Sequence, residues 1–218
     1  MTWLGRLYIW ATYRLYYEFA WAYDLASWIV SLGRWSGWRR SVLDYAAGPR
    51  ILEIGFGTGE LLLEMGSRGL KPVGLDLSPA MHRIAARKLS RRGLGLPRVR
   101  GITQALPFPD EVFDAIVSTF PAGYILEPAT LYEAARVLSP PDAATGKGGG
   151  RLVVVGLTVA VDLPAWRSAM RFLFGGEGEG ALDRFTALAQ AAGLQVKVLE
   201  QADGRFRVPV IVAERIAA

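Results

Sequence analysis

The sequence predicts a doubly wound α/β domain: a mostly parallel seven-stranded sheet ending in a C-terminal antiparallel hairpin, preceded by an N-terminal helical lid. Three observations carry this reading. Short, near-continuous runs of Val, Ile and Leu recur from Arg50 onward, the mark of strands covered on both faces. Helical stretches separate the runs, so successive strands are joined by crossovers and lie parallel. The last two runs are linked only by "QADGR", which is too short for a crossover helix and requires a hairpin.

The strands are expected at 50–55, 71–77, 113–119, 151–157, 194–200 and 206–216, with a weaker one at 98–102. Helices are expected at 58–69, 78–92, 128–138 and 180–192. Ser78-Pro79 is a helix start signal, serine capping the first amides and proline occupying the first helical position. Residues 1–47 stand apart as an aromatic-rich segment: Trp3, Trp10, Trp21, Trp28, Trp35 and Trp38 are six of the seven tryptophans. They are assigned to the lid, and 48–218 to the main domain.

At 218 residues the chain is long enough to bury a sizeable core. It has no cysteine, which excludes disulfides, thiolate metal sites and a cysteine nucleophile. His82 is its one histidine, so no metal cluster built on histidines is expected. The net charge of +5 is carried mostly by arginine, the lysines being Lys71, Lys88, Lys147 and Lys197. Arg39-Arg40 and Arg91-Arg92 read as solvated faces. Arg6, Arg14, Glu18 and Asp24 interrupt the N-terminal aromatic stretch before a membrane span of roughly 20 apolar residues accumulates.

The chemistry begins at "ILEIGFGTGE", residues 51–60. An apolar run leads into Glu53, then glycines at 55, 57 and 59. A dinucleotide fingerprint would place its third glycine at position 60, which is Glu60. A carboxylate there, with Glu53 at the strand tip, would repel a pyrophosphate. A ligand with an adenosine, no phosphate and a positive amine suits these acids better. S-adenosylmethionine has those features. Asp76, at the tip of the second strand in "VGLDLSPAM", can accept hydrogen bonds from both ribose hydroxyls.

With these motifs the chain resembles the class I S-adenosylmethionine-dependent methyltransferases, which have a Rossmann-like fold, and especially the branch of quinone-biosynthesis and phospholipid methyltransferases. "ILEIGFGTG" is similar to that family's first motif, "VGLDLSPAM" to its second, and "ALPFPDEVFDAIVSTF" to its third and fourth. "FAWAYD", with Tyr23 and Asp24, resembles the segment upstream of the first. The resemblance implies that Glu53, Gly55, Gly57, Gly59 and Tyr23 hold the methionine portion of S-adenosyl-L-methionine. It implies Asp76 for the ribose, Leu77 and Met81 for the adenine faces, Thr103, Gln104, Ala105 and Leu106 for the adenine edge, and Thr119 beside the sulfonium. One position departs from the pattern: Ile102 stands where relatives commonly carry an acid that bonds the adenine amine.

Methyl transfer from a sulfonium is an in-line displacement that needs alignment and desolvation more than a fixed catalytic dyad. Tyr23, Asp24, His82 and Tyr124 are the candidates should the acceptor lose a proton. The resemblance places the acceptor pocket between the N-terminal helices and an insertion near 158–180. Their aromatic content favours a lipophilic small molecule or a lipid headgroup. Tryptophans and tyrosines flanked by arginine would also suit peripheral contact of residues 1–40 with a membrane. The expected location is therefore the cytoplasm, with the inner membrane face as an option. Two alternatives are an RNA or nucleic-acid methyltransferase, using the basic excess, and a non-catalytic protein that binds the cofactor.

Overall fold

A computed structural model describes residues 33–142, 144, 146, 148–161, 180–203 and 206–217. Tyr23, Asp24, most of the lid and most of the 158–180 insertion lie outside the described residues. In chain order the elements begin with helix α1 (Trp35–Arg40) and a 3-10 turn (Ser41–Asp44). Strand β1 (Ile51–Ile54), α2 (Glu60–Ser67), β2 (Val73–Asp76), α3 (Pro79–Ser90) and β3 (Arg98–Arg100) follow. Then come β4 (Ala115–Thr119), a 3-10 turn (Gly123–Leu126), α4 (Pro128–Val137) and β5 (Arg151–Val155). The chain finishes with β6 (Ala160–Val161), α5 (Ala181–Ala191), β7 (Leu194–Asp203) and β8 (Phe206–Arg215).

The hydrogen-bonded order is β3-β2-β1-β4-β5-β8, with β7 and the two-residue β6 both paired to β8. Strands β1 to β5 are mutually parallel, and β8 runs antiparallel to both β5 and β7. The seven expected strands are present. The eighth, β6, is only two residues long and follows directly on the apolar 151–157 run, in the insertion. Strand β7 extends to Asp203, further than its apolar run, because it pairs along the whole of β8.

Alternation along the strands builds two cores. Ala115, Val117, Val153 and Val155 face one way, onto α1, α2 and α3 through Trp38, Leu61, Met65 and Leu89. Leu52, Ile54, Ile116, Leu152 and Val154 face the other, onto α4 and α5 through Leu131, Ala134, Phe185 and Ala189. Each such aliphatic side chain contributes about 1.5–3 kcal/mol when fully buried. The Ser78 hydroxyl caps α3 by accepting the Met81 amide, and Pro79 opens the helix. Between β1 and β4 the order of connection reverses, so a crevice opens at their C-terminal ends, where such sheets bind ligands.

Helix α1 is tied to the far end of the chain. Trp38 Nε1 donates to Asp203 Oδ2 at 3.0 Å, and Arg34 donates to the Asp203 carbonyl at 2.9 Å. Trp38 packs on Phe206, with ring centroids 5.0 Å apart.

Candidate active site

The crevice is a cavity of about 370 Å³ that runs across the tips of β3, β2, β1 and β4. Glu53 and the loop after it form its centre. Gly55, Gly57 and Gly59 all take positive φ, at 68°, 53° and 79°. They serve different ends. A Cβ on Gly55 would lie 2.2 Å from the Tyr124 hydroxyl. One on Gly59 would lie 2.7 Å from Ala85 Cβ, because α3 packs closely on the start of α2. One on Gly57 would meet nothing within 4 Å, and Gly57 lines the cavity. The open space over Gly57 is what a ligand approaching the backbone requires.

Glu53 is only 2% exposed, and its Oε2 has no hydrogen-bond partner. Burial pushes its carboxyl well above the usual carboxylate range. The Arg39 guanidinium opposes that shift, the Asp76 carboxylate adds to it, and a backbone hydrogen bond from Leu62 opposes it. Asp76 accepts the Gly57 amide at Oδ2 (2.9 Å) and the Ser78 amide at Oδ1 (2.8 Å). Burial raises its pKa, against the pull of those two amides and of His82. Each oxygen keeps lone-pair capacity for a further donor.

Leu77 and Ile102 line the cavity on the β2–β3 side and are 48% and 45% exposed. Met81, Thr103 and Gln104 stand with them. Thr103 Oγ1 lies 2.9 Å from Thr130 Oγ1, and Gln104 donates to Glu127 at 2.7 Å. Two apolar side chains left in solvent beside a cavity suit the faces of a flat ring, and Ile102 fits that use where an acid would not.

On the β4 side stand Thr119, Phe120, Ala122 and Tyr124. Phe120 has φ 50°, an uncommon backbone for a bulky residue, and its amide donates to the Val155 carbonyl at 2.7 Å. Its ring lies over Gly156, where a Cβ would come within 2.3 Å. Trp35 of α1 stacks on that ring with centroids 3.5 Å apart and planes 19° from parallel. The stack also lines the cavity.

Several expected site residues sit outside this wall. Gly59 is buried against Ala85. Ala105 is exposed, and Leu106 is buried in the core. The Leu106 peptide is nonetheless held at both ends, its amide by Glu133 (2.7 Å) and its carbonyl by Arg136 (3.0 Å). Arg136 also binds Asp110 and the Phe108 carbonyl, fixing the loop behind Thr103 and Gln104. His82 is half-buried on α3 and its Nε2 lies 3.0 Å from the Asp76 carbonyl, so that nitrogen carries the proton. Its ring packs edge-on to Phe56. The Tyr124 hydroxyl is 3.1 Å from Ser118 Oγ and 3.4 Å from the Ile54 carbonyl. Sequence reasoning missed Trp35, Phe120 and Arg39, which all line the cavity. The cluster of tryptophans was the one available signal for the first.

Among the described residues no group of His, Asp or Glu is arranged to hold a metal ion, and no helix is long and apolar enough to cross a membrane.

Residues 51–141 match the family described as a methyltransferase domain. The match takes in the glycine loop, Asp76 and β4, the residues that form the centre of the cavity. The chain is similar to two demethylmenaquinone methyltransferases. The one from Thermus thermophilus is 39% identical over 150 residues, which is 65% of this chain and 63% of that one. The one from Mycolicibacterium paratuberculosis is 36% identical over 136 residues, 61% and 53% of the two chains. The chain thus spans little more than half to five-eighths of these relatives. Solved structures share the fold at low identity. The geranyl diphosphate C-methyltransferase of Streptomyces coelicolor, solved with S-adenosyl-L-homocysteine, superposes with a TM-score of 0.61 at 16% identity, over 83% of this chain and 79% of that one. A phosphoethanolamine N-methyltransferase of Haemonchus contortus superposes at 0.63 and 15%, over 85% and 53%.

Proposed function

We propose that this protein transfers a methyl group from S-adenosylmethionine to a lipophilic small molecule carrying a flat, quinone-like ring. The observation that carries the reading is one cavity with the buried Glu53 and the half-buried Asp76 at its centre and a stacked Trp35–Phe120 pair on its β4 side. The unpartnered Glu53 Oε2 fits the cofactor's ammonium, and the open space over Gly57 fits its methionine chain. Asp76 takes the ribose hydroxyls, and Leu77 and Ile102 take the adenine faces. The similarity to demethylmenaquinone methyltransferases supports a quinone-type acceptor.

When bound, the cofactor supplies an electrophilic methyl on its sulfonium. The chain's part is alignment and the exclusion of water. Thr119 and the aromatic stack shape the side of the cavity where the acceptor must approach in line. His82 stands outside the cavity wall with its Nε2 on the Asp76 carbonyl, so this reading gives it no part as a base. Residues 1–47 serve as the lid, α1 being its inner part, and their tryptophans and arginines give access to an acceptor dissolved in lipid.

The test is calorimetry with S-adenosylmethionine, followed by transfer of labelled methyl to a demethylated naphthoquinol, to phosphoethanolamine and to RNA. Micromolar cofactor binding and preferential labelling of the naphthoquinol are expected. Absence of cofactor binding at millimolar concentration overturns the enzyme reading, and preferential labelling of RNA or phosphoethanolamine overturns the acceptor.

A further inference from the structure

A second cavity, of about 230 Å³, lies between α1, α2 and the turn after α3. Arg39 and Glu60 line it as well as the main cavity, so the two are neighbours. Its charge is unbalanced. Arg39, Arg40 and Arg92 stand in its wall against two acids, Glu60 and Glu64. Both acids are engaged by other cations, Glu60 by Lys88 and Glu64 by Arg68 at 2.8 Å. Arg40 and Arg92 are exposed, and among the described residues neither has an ion-pair or hydrogen-bond partner.

The chain around Arg92 does nothing to relieve this excess. From Pro79 to Arg92 it carries Arg83, Arg87, Lys88, Arg91 and Arg92 and not one acid. Arg40 and Arg92 belong to different elements, so their repulsion works against the docking of α1. An anion between them would replace one repulsion with two attractions.

The ligand class follows from the donors. A guanidinium presents a planar fork of N–H groups that matches the oxygens of a phosphate. The Ser36 and Ser67 hydroxyls in the same wall add neutral donors. A doubly charged tetrahedral group uses more of this set than a carboxylate does.

We infer that the second cavity is a phosphate site, Arg40 and Arg92 gripping the anion from two sides and fastening α1 to the end of α3. The shared chemistry is a phosphate monoester, carried by a free small molecule or by a lipid headgroup. Because α1 also carries Trp35, an occupied site steadies the aromatic wall of the main cavity.

The experiment follows the melting temperature of the full chain in inorganic phosphate and in sodium chloride of equal ionic strength. The variants Arg40→Gln, Arg92→Gln and Arg92→Glu are run beside it. Phosphate is expected to raise the melting temperature of the unaltered protein by about 3–5 °C over chloride at ten times its dissociation constant. Each glutamine variant should lose at least half of that increment. Arg92→Glu should lose all of it and, in chloride, melt no lower than the unaltered protein, since a carboxylate then faces Arg40. Equal melting in the two salts, or variants that keep the full increment, overturns the site. Co-sedimentation with phosphatidylcholine vesicles, with and without phosphatidic acid, separates the two sources. A lipid source requires phosphatidic acid to hold the unaltered protein about fivefold better than Arg92→Gln, with inorganic phosphate competing. Equal sedimentation of the two proteins, with the thermal increment intact, assigns the site to a free phosphate.

Discussion

Gly57 donates its backbone amide to Asp76 Oδ2 at 2.9 Å, so the first glycine loop and the tip of β2 are one unit. The acid thus shapes the loop that flanks it while keeping lone pairs for a ligand. A change at either residue reaches the other.

Asp76→Ala should therefore weaken S-adenosylmethionine at least tenfold, since each hydrogen bond lost from a charged acceptor is worth about 1.5–3 kcal/mol. The Gly57 and Ser78 amides also lose their acceptor. Asp76→Asn keeps one acceptor oxygen and should fall in between. Calorimetry at fixed pH checks the order. Equal affinities in all three proteins would remove Asp76 from the site.

The buried Glu53 makes a prediction about pH. Burial raises its folded-state pKa well above the unfolded value, so the free protein binds that proton more tightly than the unfolded chain. The stability associated with it is fully present below the ordinary carboxylate range and is lost as pH rises through the raised pKa. Glu53→Gln should flatten this part of the stability–pH curve, as read by denaturant midpoints. Cofactor affinity should run the opposite way in the unaltered protein, rising with pH as the carboxylate that the ammonium requires becomes populated.

The three loop glycines should separate in their effects. Gly57→Ala meets open space, so its cost is the left-handed backbone alone, about 1–2 kcal/mol. Gly59→Ala adds an overlap with Ala85 worth about 1–3 kcal/mol more. Cofactor affinity should show the reverse order, Gly57→Ala losing the most for its stability cost. Paired thermal and binding measurements decide this. Equal loss of binding per unit of stability would show that Gly57 acts only through the fold.

The Trp35–Phe120 stack should act on the acceptor. Phe120→Ala is expected to raise the acceptor KM severalfold while cofactor affinity stays within about twofold, an aromatic pair being worth about 0.5–1.5 kcal/mol beyond its buried area. Trp35→Ala should do the same, and the double variant should lose less than the sum, because the two rings share one contact. A selective loss of cofactor affinity would place the rings elsewhere in the mechanism.

Most of the sheet was legible because each strand carries its own apolar run, and the run is a local property. The acid at the tip of β1, the glycines and Asp76 were legible for the same reason, since the loop and strand ends are contiguous in sequence. Arg39 was not. Two adjacent arginines look alike in sequence, and only the docking of α1 turns one of them into the cavity and leaves Arg40 exposed. Arg136 was hidden likewise: its bonds to Glu133, Asp110 and the Leu106 carbonyl join α4 to a loop far from it in the chain. The short strand β6 exists only because β8 offers it an edge.

The bond from Trp38 to Asp203 joins residues separated by 165 positions. During synthesis, the glycine loop, β2 and β4 can assemble long before Asp203 leaves the ribosome. Helix α1, with Trp35 and Arg39, has no β7–β8 end to dock on until that moment. The cavity is therefore walled last, by one of the earliest described segments of the chain meeting one of the latest. A nascent chain stopped before β7 would present the crevice open along the side that Trp35 and Arg39 otherwise line.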